Sequence, residues 1–125
     1  MQAQRFLLIA SVFGALAVIL GAFGAHGLEK AVDAKMLQRF HTGVEYQFYH
    51  TFALLVVGLL AQHSPQRYLQ YAGYAFITGI LLFSGSLYLY VLSGVTAIAM
   101  ITPLGGTAFI IGWICLAFAV KAKAD

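Results

Sequence analysis

Few residues in this chain could do chemistry, and most of them fall in one stretch. His41, Glu45 and His50 stand at spacings of four and five, and His26 ends the apolar run before them. Tyr46 and Gln47 sit among them, and Ser84, Ser86, Tyr88 and Thr102 come in later apolar segments. Three chemistries are open to such a set. Histidine and glutamate are zinc ligands, and His41 and Glu45 have the i, i+4 spacing of one helical face. Glu45 or His50, if intramembrane, would be proton-relay candidates. The set His26, Tyr46, Gln47, His50, Ser84 and Ser86 could instead line a polar pocket.

Helical geometry argues against the metal. At about 100° per residue, His41, Glu45, Phe48 and Phe52 share one face, whereas Gly43, Tyr46, Gln47 and His50 lie nearly opposite. The two groups cannot point into one site. CxxC and HExxH signatures are absent from the sequence, so neither a metal nor another cofactor is expected. Glu45 reads as an interfacial acid near a helix end, and His50 as a neutral ring bonded to a neighbouring span. Cys115 is the single cysteine, which excludes an intramolecular disulfide and leaves it as a small packing residue.

The elements that hold these groups must live in lipid. The 125 residues are 62% hydrophobic and 9% charged, with mean hydropathy +0.88, whereas soluble domains carry roughly 25% charged residues. Eleven ionic side chains cannot cover the surface of so short a soluble chain. The seven cations are scattered between apolar runs, which marks span ends and excludes nucleic-acid binding.

Four spans are expected, at about 6–25, 43–62, 70–92 and 103–121. The first is an uncharged run of about 30 Å as helix, enough to cross a hydrocarbon core, and its length favours an uncleaved span over a signal peptide. Residues 28–40 place Leu28, Val32, Met36 and Phe40 at every fourth position between charges, which predicts a short interfacial amphipathic helix between spans 1 and 2. Pro65 closes the second span and makes a tight hairpin. The uncharged run from Tyr68 to Val120 is too long for one crossing, so it folds back. Ser93-Gly94 stops the third span, and Thr102-Pro103 caps and starts the fourth. Residues 95–101 form an apolar connector expected to be partly buried.

The fold class is therefore an all-α integral membrane protein, a four-span antiparallel bundle with both termini on one side. Arg5, Arg67, Lys121 and Lys123 fall on that side, and Lys30, Lys35 and Arg39 on the other. The positive-inside count favours cytoplasmic termini. Small residues repeat every seven positions in the first span (Gly14, Gly21 and Gly24 among them) and in the fourth (Gly105, Gly112, with Gly106 beside them). Such seams allow close approach, and they predict that spans one and four are antiparallel neighbours. The polar residues are expected together at the end opposite the termini, and Trp113 is expected to pack rather than anchor.

Four segments together resemble a known family: GAFGAHGL at 21–28, TGVEYQFYHTFALL at 42–55, FSGSLYLY at 83–90 and TPLGGTAFIIGW at 102–113. They are similar to the YgdD-like small inner-membrane proteins, the family of domain of unknown function 423. The positions that match its motif are Gly24, His26, Tyr46, Gln47, His50, Ser84, Gly85, Ser86, Pro103, Gly105, Gly106 and Trp113. Glu45 and His41 stand outside it. The resemblance implies a four-span protein of the bacterial inner membrane, with Tyr46, Gln47 and His50 turned inward, and it implies no activity.

With no activated nucleophile and no metal signature, catalysis is not expected. The favoured reading is a structural bundle that binds membrane lipids or partners. The alternative is a small carrier or channel with a polar pocket near His26 and His50. One copy is small for alternating access and shows no inverted repeat, so a carrier would require a homo-oligomer.

Overall fold

The computed structural model describes residues 2–124, with side chains through residue 122. Lys123, one of the expected terminus-side cations, lies outside the described side chains. The chain folds as α1 (Gln2–His26), α2 (Ala34–His63), α3 (Arg67–Gly79), α4 (Gly85–Ser93) and α5 (Thr102–Ala124). A π-helical turn, Ile80–Ser84, joins α3 to α4, so these two make one continuous third span. Four helical stretches are long and apolar enough to cross a membrane, and the even number places both ends of the chain on one face. Among the described residues no β-strand occurs. Val12, Ile19, Phe52, Leu81, Ile110 and Phe118 all point outward, the reverse of a water-soluble surface and the expected band for lipid contact.

The segment 28–40 is not a helix of its own. Leu28–Lys30 forms one 3-10 turn, and from Ala34 the chain already belongs to α2. Asp33 caps that helix, its carboxylate accepting from Met36 N at 2.8 Å. The apolar residues at every fourth position serve the bundle end instead: Leu28 and Phe40 are buried with Val44 and Val91, and Val32 and Met36 pack on them. The early start, nine residues ahead of the span expected from 43, makes α2 30 residues long.

The breaks obey local chemistry. α2 ends at His63, ahead of Pro65. The third span ends at Gly94, whose φ of 72° is the left-handed conformation that favours glycine, and its N–H bonds Tyr90 O at 2.8 Å. α5 begins at Thr102, but the threonine hydroxyl pairs with Ser86 Oγ at 2.6 Å and thus joins the fourth span to the third. The connector is less sheltered than its composition predicts. Only Ile98 and Ala99 are half-buried, and Met100 is 77% exposed. Apolar side chains in a membrane protein need no burial from the protein, because lipid surrounds them.

The bundle is two hairpins side by side. α1 packs along α2, and α5 packs along α3 and the π turn, with α2 forming the seam between the hairpins. The expected pairing of spans one and four does not occur. Each small-residue seam is filled by its hairpin partner. On α1, Gly21 faces Val44 and Gly24 faces Phe40, while Gly14 makes only an ordinary contact with Thr51. On α5, a Cβ at Gly112 would stand 2.6 Å from Phe76, and one at Gly105 would overlap the backbone of Phe83. Gly106 has room, with Phe83 at 3.8 Å. Seams of the same kind on other spans complete the interlock: Leu7 fits against Gly58 of α2, and the Phe6 ring against Gly73 of α3. Phe6, Leu54, Val57 and Phe76 are fully enclosed at the centre.

Candidate functional site

Polar side chains of α2 and of the third span meet inside this apolar frame. Gln47 is buried and bridges three spans. Its amide donates to the Phe13 carbonyl of α1 at 2.8 Å, and its oxygen accepts from Tyr88 OH of α4 at 2.6 Å. Ser84, fully buried in the π turn, donates to the Gly43 carbonyl at 2.6 Å. Ser86 donates to the Phe83 carbonyl at 2.9 Å and pairs with Thr102. The π turn matters for this alignment. Its Gly85 N–H bonds Ile80 O, the i to i−5 bond that admits one extra residue into a turn and rotates the next stretch of helix. Ser84 and Tyr88, four residues apart, both face α2 from this stretch.

His50 forms a second centre. It is 5% exposed. Trp113 Nε1 lies 3.0 Å from His50 Nε2, and His50 Nδ1 lies 2.7 Å from the Tyr46 carbonyl. An indole N–H only donates, so Nε2 accepts, Nδ1 carries the proton, and that proton goes to the Tyr46 carbonyl. Both nitrogens of a neutral ring are thus satisfied. The ring stacks on Phe109 at 3.5 Å between centroids and 8° between planes, with Phe76 and Trp113 around it. A cleft of about 490 Å³ opens beside it, lined also by Tyr46, Pro103 and Gly106.

Several expected site residues fall elsewhere. His26 is exposed at the end of α1. Gln47 is level with Phe13, and 13 further residues of helix put His26 roughly 20 Å away along the axis. The shared His26 and His50 pocket therefore does not form. Tyr46 is 38% exposed and turns outward, stacking on Phe83 at 4.7 Å, so only Gln47 and His50 of that trio point inward. Gln47 and His50 sit near the middle of α2 and not at its end, because that helix begins at Ala34, whereas Ser86 and Thr102 meet at the start of α5. Glu45 is exposed on the opposite face, as the helical angles require. Among the described residues no three metal-ligating side chains come together.

Side-chain spacing does not reveal the partners of these groups. Phe13 contributes only its carbonyl, which no side-chain pattern marks. Trp113, 46% exposed on the outer face, was legible as the chain's one tryptophan inside a span, since an indole N–H in apolar surroundings needs an acceptor. Gly43 was legible as a gap in the polar stretch. Tyr88 Cε1 would stand 2.9 Å from a Cβ there.

These observations define a class: a multi-pass membrane helix bundle whose interior polar groups tie span to span. The chain belongs to the family described as "Protein of unknown function (DUF423)", whose profile matches residues 20–106. That stretch includes Gln47, His50, Ser84, Ser86 and Tyr88. The chain is 47% identical over 115 residues to the UPF0382 membrane protein YwdK of Bacillus subtilis, covering 91% of this chain and 94% of that one. It is 44% identical to a UPF0382 membrane protein of Haemophilus influenzae, over 92% of each chain. It is 40% identical to the UPF0382 inner membrane protein YgdD of Escherichia coli, over 96% of this chain and 93% of that one. No solved structure matches the chain.

Proposed function

We propose that this protein is a non-catalytic bundle of the bacterial inner membrane that acts by binding lipid or a partner helix along its outer faces. One observation carries the reading. The inward polar side chains Gln47, His50, Ser84, Ser86 and Tyr88 are all bonded to other spans or to nearby backbone. A site that receives a solute or performs a reaction needs polar groups converging on open space. Here they converge on one another, which is how polar residues join helices in lipid, and His50, which borders the cleft, has both ring nitrogens taken within the bundle. Catalysis and metal chemistry gain no support from the buried set. Cytoplasmic termini are favoured by the count of four cations against three. The inner-membrane location rests on the name of the Escherichia coli relative, an inner membrane protein.

Reconstitution into liposomes tests the reading. Proton, potassium and small-solute flux should equal that of protein-free vesicles. Flux above that background that falls on His50→Ala would replace the binding reading with a carrier. A C-terminal reporter fusion active only outside the cytoplasm would reverse the orientation.

A further inference from the structure

We infer that the terminus-side end of the bundle holds a headgroup site for an anionic phospholipid, in the crevice between the start of α1, the end of α2 and the start of α3. The inference rests on the lipid-binding reading above and names its ligand. The crevice has a volume of about 710 Å³, and its polar lining is Gln2, Gln4, Gln62, Gln66, Arg67 and Gln70. Five amides and one guanidinium around one space offer N–H donors from three helices. Phosphodiester oxygens are acceptors only, and guanidinium recognises them through paired, charge-assisted bonds.

Two of the amides are already engaged, and the way they are engaged leaves the crevice open. Gln2 donates to Tyr74 OH at 2.6 Å, and Gln66 donates to the Ala119 carbonyl at 3.0 Å. Gln66 is also the residue ahead of α3 and provides that helix no side-chain cap. The first N–H groups of α3 are therefore left without a side-chain acceptor from Gln66. Phe6 and Leu69, themselves buried, form the apolar floor of the space. Tyr68, Tyr71 and Tyr74 are exposed along α3, as tyrosines at headgroup depth are.

Charge selects the headgroup. Among the described side chains, Arg5, Arg67 and Lys121 stand exposed at this end. Three of the four acidic side chains, Glu29, Asp33 and Glu45, belong to the other end, where Lys30, Lys35 and Arg39 balance them one for one, and in the sequence the fourth, Asp125, stands against Arg5, Arg67, Lys121 and Lys123. The cationic excess therefore sits at this end, with Arg67 lining the crevice and Arg5 and Lys121 outside it. Basic pockets between spans attract anionic lipid headgroups, with each cation near the surface contributing about 1 kcal/mol, or about fivefold in affinity.

Native mass spectrometry of the full chain in detergent tests this, with phosphatidylglycerol and phosphatidylcholine of identical acyl chains as probes. Phosphatidylglycerol should be retained at least about fivefold more strongly, and Arg67→Gln should remove about that factor while leaving phosphatidylcholine unchanged. The paired substitution of Gln62→Leu with Gln70→Leu should also weaken phosphatidylglycerol. Lys121→Gln, at the same end but outside the crevice, should have little effect. Arg67 is exposed, and a melting curve establishes that each variant is folded. Equal retention of the two lipids, or equal loss from Arg67→Gln and Lys121→Gln, overturns the headgroup site while leaving the broader lipid-binding reading intact. Displacement by glycerol phosphate or inorganic phosphate as readily as by lipid reassigns the crevice to a soluble anion and overturns the lipid assignment. Retention of neither lipid sinks both readings.

Discussion

Trp113 donates its indole N–H to His50 Nε2 at 3.0 Å, so α5 is tied to the middle of α2 by a single bond between aromatic rings. The residues are 63 positions apart, and the bond ties the second hairpin to the first. Removing either partner leaves the other with an unpaired polar group in an apolar setting. Membrane hydrogen bonds of this kind average about 0.6 kcal/mol and reach about 1.7. Trp113→Phe keeps most of the ring and loses the donor, and His50→Phe loses the acceptor. A double-mutant cycle on these two, read by unfolding in mixed micelles, should give a coupling of about 1 kcal/mol. A coupling indistinguishable from zero would mean that the indole and imidazole are held by their packing on Phe76 and Phe109 alone.

Gln47 and Tyr88 should be coupled in the same way, with a different consequence. Gln47→Leu removes the bridge to both Phe13 O and Tyr88 OH. The Phe13 carbonyl loses only an extra donor from a neighbouring span, while the OH of half-buried Tyr88 is left without its acceptor. Tyr88→Phe added to Gln47→Leu should therefore restore part of the lost stability, by about 0.5–1.5 kcal/mol. Additive losses in the double variant would show that Tyr88 finds another partner, and that Gln47 does not hold it.

Thr51 presents the opposite case. It is buried, and its Oγ1 has no hydrogen-bond partner among the described residues. Its methyl group is what meets α1, 3.7 Å from a Cβ placed on Gly14. Thr51→Val keeps the shape and removes the hydroxyl. Stability should be unchanged or higher, by up to about 1 kcal/mol. A clear loss would reveal that the hydroxyl bonds a group within the folded bundle.

The sequence made the number of spans legible, because a run without charge from Tyr68 to Val120 admits only a fold-back, and Gly94 and Pro103 mark where it occurs. It also made the inner face of α2 legible, since angular arithmetic separates Gln47 and His50 from Glu45. It did not reveal which helices meet. A seven-residue repeat of small residues describes a groove and says nothing of its occupant, and the groove of α1 proved to hold Phe40 and Val44, not α5. Depth was equally hidden. Charges at Lys35 and Arg39 suggested that α2 starts after them, but Arg39 is accommodated at the bundle end by Tyr90, whose hydroxyl accepts its N–H at 3.0 Å and whose ring lies beneath it. The π turn had one local sign, the Ser-Gly-Ser run at 84–86, a sequence type at which helices depart from ideal geometry.

Two adjacent glycines give the sharpest check on the pairing of α5 with the third span. A Cβ on Gly105 would overlap the backbone of Leu82 and Phe83, which cannot swing aside as a side chain would. A Cβ on Gly106 would meet only the edge of the Phe83 ring at 3.8 Å, an ordinary contact. Gly105→Ala should therefore cost about 1–3 kcal/mol, as overpacking against a fixed neighbour does. Gly106→Ala should be neutral or stabilising by up to about 1 kcal/mol, because alanine favours helix over glycine. Gly112→Leu should resemble Gly105→Ala in direction, since Phe76 fills its groove. The contrast separates this arrangement from one in which α5 packs on α1, where nothing would distinguish position 105 from 106 through the Phe83 backbone. Melting temperatures of the two alanine variants that fall together, or in reversed order, would place the fourth span against a different neighbour.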